Sequence, residues 1–133
     1  MIPSMKFKAG FSLLELLIVL AIVAIISAIA YPAYTSHILK THRAQAKVNL
    51  LALANQLEQY HILNHSYQGA NLATLNFKAG DEFYRYEMQT TEKSFLIKAI
   101  PVGKQTKDSC GTLIYNETGE KSSSTNPEIS ACW

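Results

Sequence analysis

Glu15 is the residue whose chemistry is hardest to place in water. It lies in residues 11–34, FSLLELLIVLAIVAIISAIAYPAY, where it is the only charged side chain and Pro32 the only proline. A carboxylate held in hydrocarbon costs roughly 3 kcal/mol, so it is paired or kept near a water interface. Cys110 and Cys132 are the only cysteines. With no further Cys or His close by in the sequence they make a poor metal site, and a disulfide is the better reading. Such a bond persists in an oxidising compartment. His61 and His65 have the spacing of a helical metal pair but no third ligand, and read as exposed histidines near a helix end. The chain carries no nucleophile elbow, phosphate loop, zinc-ligand set or paired catalytic carboxylates. No enzyme, cofactor or metal is therefore expected.

The element that must position Glu15 is a helix long enough to cross a bilayer, which takes roughly 20 mostly apolar residues. Only Ser27 interrupts Leu, Ile, Val and Ala over residues 16–30. Before it stands MIPSMKFKAG, with Lys6, Lys8 and a terminal Gly10 directly ahead of Phe11. A secretory signal is cut beyond its apolar run, after small residues. Here the run leads into YPAYTSH, so the helix is expected to stay with the mature protein. The small-residue junction is on the near side, at Gly10-Phe11, where a peptidase facing the cytoplasm could cut.

Lys-Ala-Gly followed by this apolar segment resembles the leader and N-terminal helix of type IV pilins. The resemblance implies cleavage after Gly10 by a prepilin peptidase and N-methylation of Phe11. It puts the family's glutamate on Glu15 and its helix-bending proline on Pro32. Ser12 and Leu14 stand where Thr and Ile are commoner. Type II secretion pseudopilins share the segment. On this reading Glu15 pairs with the new amino group of Phe11 on a neighbouring subunit and sets the axial register of a filament, against the plainer alternative of snorkelling at the membrane edge. Pro32 removes the hydrogen bond to the carbonyl of Ala28, at about 3 kcal/mol, so a kink is expected there.

The 133 residues leave room for one small soluble domain beyond the apolar helix. No glycine occurs between Gly10 and Gly69. Ala46, Leu50, Leu53, Leu57 and Tyr60 follow 4, 3, 4, 3 spacing, an amphipathic stripe that Val48, Leu51 and Ala54 widen. The apolar helix is thus expected to run on to residue 63, giving a rod of about 80 Å at 1.5 Å per residue. Residues 64–82 read as a helix-to-sheet connection with breakers Gly69 and Gly80 and a short helical turn at residues 72–75. Strands are expected over 83–89, 94–100 and 112–115, with a fourth over 120–123 returning through the turn at Gly119. Connections this short favour an antiparallel meander.

The fold expected is therefore α+β, a long N-terminal helix packed on a small sheet of about four antiparallel strands. Its divisions are a leader over 1–10, a membrane and filament-core helix over 11–34, an amphipathic half over 35–63 and a globular head over 64–133. The pattern CGTL…N..G.K….CW, with HRAQAKVNLLALANQLEQYHILNHSY, resembles the PilE-type minor pilins of Gram-negative bacteria. That resemblance implies a minor subunit of a type IV pilus, in the inner membrane with a periplasmic C-terminal part before assembly and in the extracellular pilus after it. Its partners would be other pilin subunits in a helical filament, the prepilin peptidase and the inner-membrane assembly machinery, and its roles twitching motility, adhesion or DNA uptake. Secretion pseudopilin is one alternative. A DNA-binding competence pilin is another: Lys93, Lys98, Lys104, Lys107 and Lys121 could form a basic stripe. Against it, Glu92, Asp108, Glu117 and Glu120 interleave with those lysines, and beyond Tyr34 there are 10 Lys and Arg to 9 Asp and Glu. Asn64 and Asn116 match the glycosylation acceptor pattern, which means little in a bacterial protein.

Overall fold

A computed structural model describes residues 9–125 and 129–133 of the chain, with the backbone alone at residue 129. Most of the expected leader, residues 1–8, and residues 126–128 lie outside the described residues. The chain divides into two compact units, Met1–Ser36 and His37–Trp133. One helix, α1 (Leu13–Asn64), has residues in both.

In the first unit every described residue is exposed. Ser12 caps α1: its Oγ accepts from the Glu15 amide at 3.1 Å, satisfying one of the donors that a helix start leaves without an intrahelical partner. The helix is unbroken at Pro32, although the proline has no amide to offer Ala28. By length and composition this is a helix that could cross a membrane. Its large apolar side chains are exposed, Leu13 at 76% and Ile29 at 72% among them.

The second unit is two layers, the rest of α1 against an antiparallel sheet. Ala46, Leu50, Leu53, Ala54 and Leu57 are the buried stripe of the helix, and burying each leucine contributes about 1.5–3 kcal/mol. Val48 and Leu51 do not widen it as expected: they stay 58% and 39% exposed. At 100° per residue they turn about 200° and 100° away from Leu50, and one sheet face covers only one stripe. The helix ends where His65 takes a positive φ of 56°, with Asn64 Nδ2 donating to the Tyr60 carbonyl at 2.9 Å.

The sheet order is β1-β2-β3-β4, with β1 Tyr84–Thr90, β2 Phe95–Pro101, β3 Leu113–Asn116 and β4 Lys121–Ser123. These are the four expected strands, each shifted by about one residue. Register pairs Tyr86 with Ala99, Met88 with Ile97, Ile97 with Tyr115 and Ala99 with Leu113. The helix-facing side is therefore Tyr84, Tyr86, Phe95, Ile97, Ala99 and Leu113, all buried. A slip of one residue would turn that set to solvent.

Residues 65–83 are ordered by local bonds. Asn71 and Thr74 cap each other, amide to side chain in both directions, at 2.9 and 2.8 Å. The expected helical turn at 72–75 is a single turn, in which Leu75 N bonds the Asn71 carbonyl at 3.0 Å and Phe77 N the Leu72 carbonyl at 2.8 Å. Asn76, at φ 52°, stops it from winding further. Gly80 then bridges to Arg85, and a Cβ there would meet the Tyr84 carbonyl at 2.8 Å. Two short elements had no forecast in the sequence, a 3-10 helix at Gly103–Lys107 and the single turn α2 at Ile129–Cys132.

Candidate functional site

The first place where chemistry concentrates is the start of α1. Gly10 has open space around its Cα, and Phe11 is 83% exposed just ahead of the helix. Glu15 falls in the first helical turn, three residues after its cap, the Ser-x-x-Glu spacing of a capping box. A negative charge there is favoured by the helix dipole at about 0.3–1 kcal/mol. That spacing was visible in the sequence but overshadowed by the apolar run.

The second concentration is a buried polar network between α1 and the 3-10 helix. Arg43 and Asp108, each 7% exposed, form an ion pair through Nη1 and Oδ1. The Tyr84 hydroxyl donates to Asp108 Oδ2 at 3.4 Å and accepts from Gln105 Nε2 at 3.0 Å. Gln105 Nε2 also donates to the Leu39 carbonyl at 2.9 Å, and its Oε1 lies 3.3 Å from His42 Nδ1. His42 stacks on Phe83 with centroids 3.6 Å apart. Burial pushes the Tyr84 phenol up to about 12, with Asp108 adding to the rise and Gln105 opposing it. The network holds the 3-10 helix on α1.

Arg43 was missed in the sequence, yet it carries the stripe one step back, three residues before Ala46. Its position should have signalled a buried cation needing a carboxylate. Asp108 had no such signal, since only the fold brings it 65 residues back to Arg43.

The third is the C-terminal edge. Cys110 and Cys132 are disulfide-bonded, as expected, and both are buried. Around the bond, Ser123 Oγ donates to the Cys110 carbonyl at 2.6 Å and Ser124 Oγ accepts from Thr112 N at 2.9 Å. Ser123 and Ser124 thus fasten the β4 edge to the start of β3. In the β3–β4 turn, Asn116 Oδ1 accepts from Thr118 N, Thr118 Oγ1 and Glu120 N. The acceptor pattern at Asn116 is a turn device.

The five lysines do not form one stripe. Lys93 is in the β1–β2 turn, Lys98 lies opposite Glu87 and Ile114, Lys104 and Lys107 share the 3-10 helix, and Lys121 is on β4. Three of the acids set against them have partners within the fold. Asp108 is buried with Arg43, Glu117 Oε2 accepts from Phe95 N, and Glu120 Oε2 accepts from Asn116 Nδ2. His61 stacks on Tyr67 at 4.4 Å and His65 ends the helix. Among the described residues no three His, Cys, Asp or Glu side chains converge as a metal site.

Comparison with known proteins matches residues 32–114 to the family described as type IV minor pilin ComP, DNA uptake sequence receptor, and residues 5–31 to the prokaryotic N-terminal methylation motif. A type IV pilin from Shewanella oneidensis superposes with a TM-score of 0.58 at 27% identity, over 71% of this chain and 97% of that one. The non-core minor pilin PilV of Neisseria meningitidis does so with a TM-score of 0.58 at 17% identity, over 70% and 93%. No curated protein matches.

Proposed function

The chain belongs to the type IV minor pilin ComP family, and from that premise we propose how this minor pilin is held, processed and used. Helix α1 anchors it in the inner membrane with the unit His37–Trp133 on the periplasmic side. The prepilin peptidase cuts at Gly10-Phe11 and methylates Phe11. Assembly machinery then passes the subunit into a helical filament of other pilins, where its apolar helix lies among theirs. The observation that carries this reading is the exposed apolar run of α1 with Glu15 as its one charge. Such a surface needs lipid or like helices around it, and such a carboxylate needs a cation. The amino group of Phe11 on a neighbouring subunit supplies one, and Pro32 leaves a weak point at which the helix can bend. The secretion-pseudopilin alternative gives way to the family match.

The test is mass spectrometry of fibres sheared from the cell surface. The expected result is this chain beginning with N-methylated Phe11, and its loss from fibres on Glu15→Ala. A mature chain that begins beyond Tyr34, or full incorporation of the Glu15→Ala subunit, refutes the reading.

The second reading is that the filament-borne head is a receptor for DNA. It is favoured by the family description. Gel retardation with the full chain in detergent is expected to show a complex that weakens as salt rises. No complex at low salt removes this reading and leaves the structural one standing.

A further inference from the structure

Lys104 and Lys107 are three residues apart in the 3-10 helix Gly103–Lys107. Such a helix turns once in three residues, so side chains at that spacing stand one above the other, and the two lysines share one exposed side. Gln105 between them points the other way. It is 1% exposed, and its Nε2 donates to the Leu39 carbonyl at 2.9 Å while its Oε1 lies 3.3 Å from His42 Nδ1. Through Gln105 the lysine pair is fastened to α1 within one turn of Lys40, which is exposed as well.

Acids do not balance these three charges. Asp108, at the C-terminal end of the 3-10 helix, is bonded to Arg43. Glu82 is brought alongside by the bond from Val102 N to the Phe83 carbonyl at 2.8 Å, and it can offset one charge at most. Among the described residues none of Lys40, Lys104 and Lys107 has an ion pair. A cluster of this kind gains from an anionic surface that meets all three side chains at once.

Their place in the chain says which surface that is. Leu39 comes five residues after Tyr34, where the apolar run ends. Five residues span at most about 18 Å however the backbone runs, and about 8 Å as helix. The lysines therefore stay close to wherever the run leaves the bilayer. Tyr31 and Tyr34, 72% and 63% exposed, are of the residue type that sits at headgroup level. Anionic phospholipids attract lysines placed beside a membrane helix, over a range of about 8 Å at physiological salt.

We propose that Lys40, Lys104 and Lys107 dock on anionic phospholipid headgroups of the membrane that α1 crosses, so that the 3-10 helix rests on the bilayer until the subunit is drawn into a filament. The proposal rests on the membrane-anchored reading above and adds to it the face that meets the lipid and the lipid charge it needs. Gln105 and Asp108, bonded to Leu39 and Arg43, keep the 3-10 helix and its lysines at this end of the second unit.

The test reconstitutes the full chain in lipid nanodiscs, either of phosphatidylcholine alone or of phosphatidylcholine mixed with phosphatidylglycerol. Lysine acylation rates are then read residue by residue by mass spectrometry. In the anionic discs Lys40, Lys104 and Lys107 are expected to react about 5-fold more slowly than in the neutral ones, while Lys93 and Lys98 in the sheet region keep their rates. Salt at about 1 M, where the screening length falls to about 3 Å, removes the difference. Lys104→Gln with Lys107→Gln changes exposed side chains only, and is expected to return Lys40 toward its rate in neutral discs.

Equal rates at Lys104 and Lys107 in the two kinds of disc overturn the docking surface and leave the anchor standing. So does slowing of Lys93 and Lys98 to the same degree, which is the mark of the general surface potential. Equal protection by free inorganic phosphate in neutral discs, or a Lys40 rate that the double variant leaves unchanged in anionic ones, overturns it as well. A chain that neither kind of disc retains overturns the anchor and the docking together.

Discussion

Asp108→Ala tests the claim that a buried ion pair fastens the 3-10 helix to α1. The substitution leaves the Arg43 guanidinium in a site where the residue is only 7% exposed, with no carboxylate to answer it. It also removes the acceptor of the Tyr84 hydroxyl. Removing one partner of a buried pair costs about 3–5 kcal/mol, most of it from the charge left behind. Domains of this size have about 5–15 kcal/mol in all. For a unit of about 100 residues each kcal/mol moves the midpoint by at least about 4 °C, so Tm should fall by about 12 °C or more. Thermal unfolding of the full chain in detergent, followed by Trp133 emission, reads the second unit selectively because no other tryptophan contributes. The double variant Arg43→Met with Asp108→Leu removes both charges and is expected to melt well above Asp108→Ala, since well-packed apolar residues can replace a buried pair at little cost. A single variant within about 3 °C of wild type, or a double variant no better than the single, refutes the reasoning.

Three further outcomes follow from other contacts. Cys110→Ser with Cys132→Ser opens a loop whose ends are 22 residues apart and should cost about 3.4 kcal/mol in the chain-entropy model, read as a lower denaturation midpoint and a red-shifted Trp133 emission. The Tyr84 phenol sits at about 12 in the folded chain against 10 when unfolded; its contribution is complete below pH 10 and is lost as pH rises toward 12. Tm of the wild type should accordingly fall more steeply than that of Tyr84→Phe between those pH values, and parallel curves would exclude the effect. Asn116→Ala removes the acceptor of three hydrogen bonds in the β3–β4 turn and should destabilise by about 1–2 kcal/mol in urea titrations, while Asn116→Asp, which keeps that oxygen, should recover most of the loss.

What could be read from the residues was whatever repeats or punctuates. The heptad-like stripe from Ala46 to Leu57, the alternation of Tyr84 and Tyr86 with Arg85 and Glu87, and the glycine at the Asn116–Gly119 turn each announced their element. The apolar run and its Glu15 were equally plain. Hidden features depend on partners that only folding supplies. Gln105 looked like a loop residue in GKQTK, yet it is 1% exposed because Leu39, His42 and Tyr84 surround its amide. Val48 and Leu51 are apolar but face outward, since hydrophobicity alone does not tell which side of a helix a sheet will cover. Trp133 gave no hint of its setting, because the indole, Lys121 and Tyr115 meet only through strand register and the disulfide.

The sheet places its strands in space in the order in which they leave the ribosome. Each ladder can therefore close on a neighbour already made, and within the sheet no strand must wait for a distant stretch to arrive, which keeps loop-closure entropy low and favours rapid folding. The covalent cross-link comes last by the same logic, since Cys132 follows β4 in the chain. With two cysteines in the whole chain, an oxidant meeting this protein can make one intramolecular bond and no scrambled one, so maturation needs an electron acceptor but no isomerase.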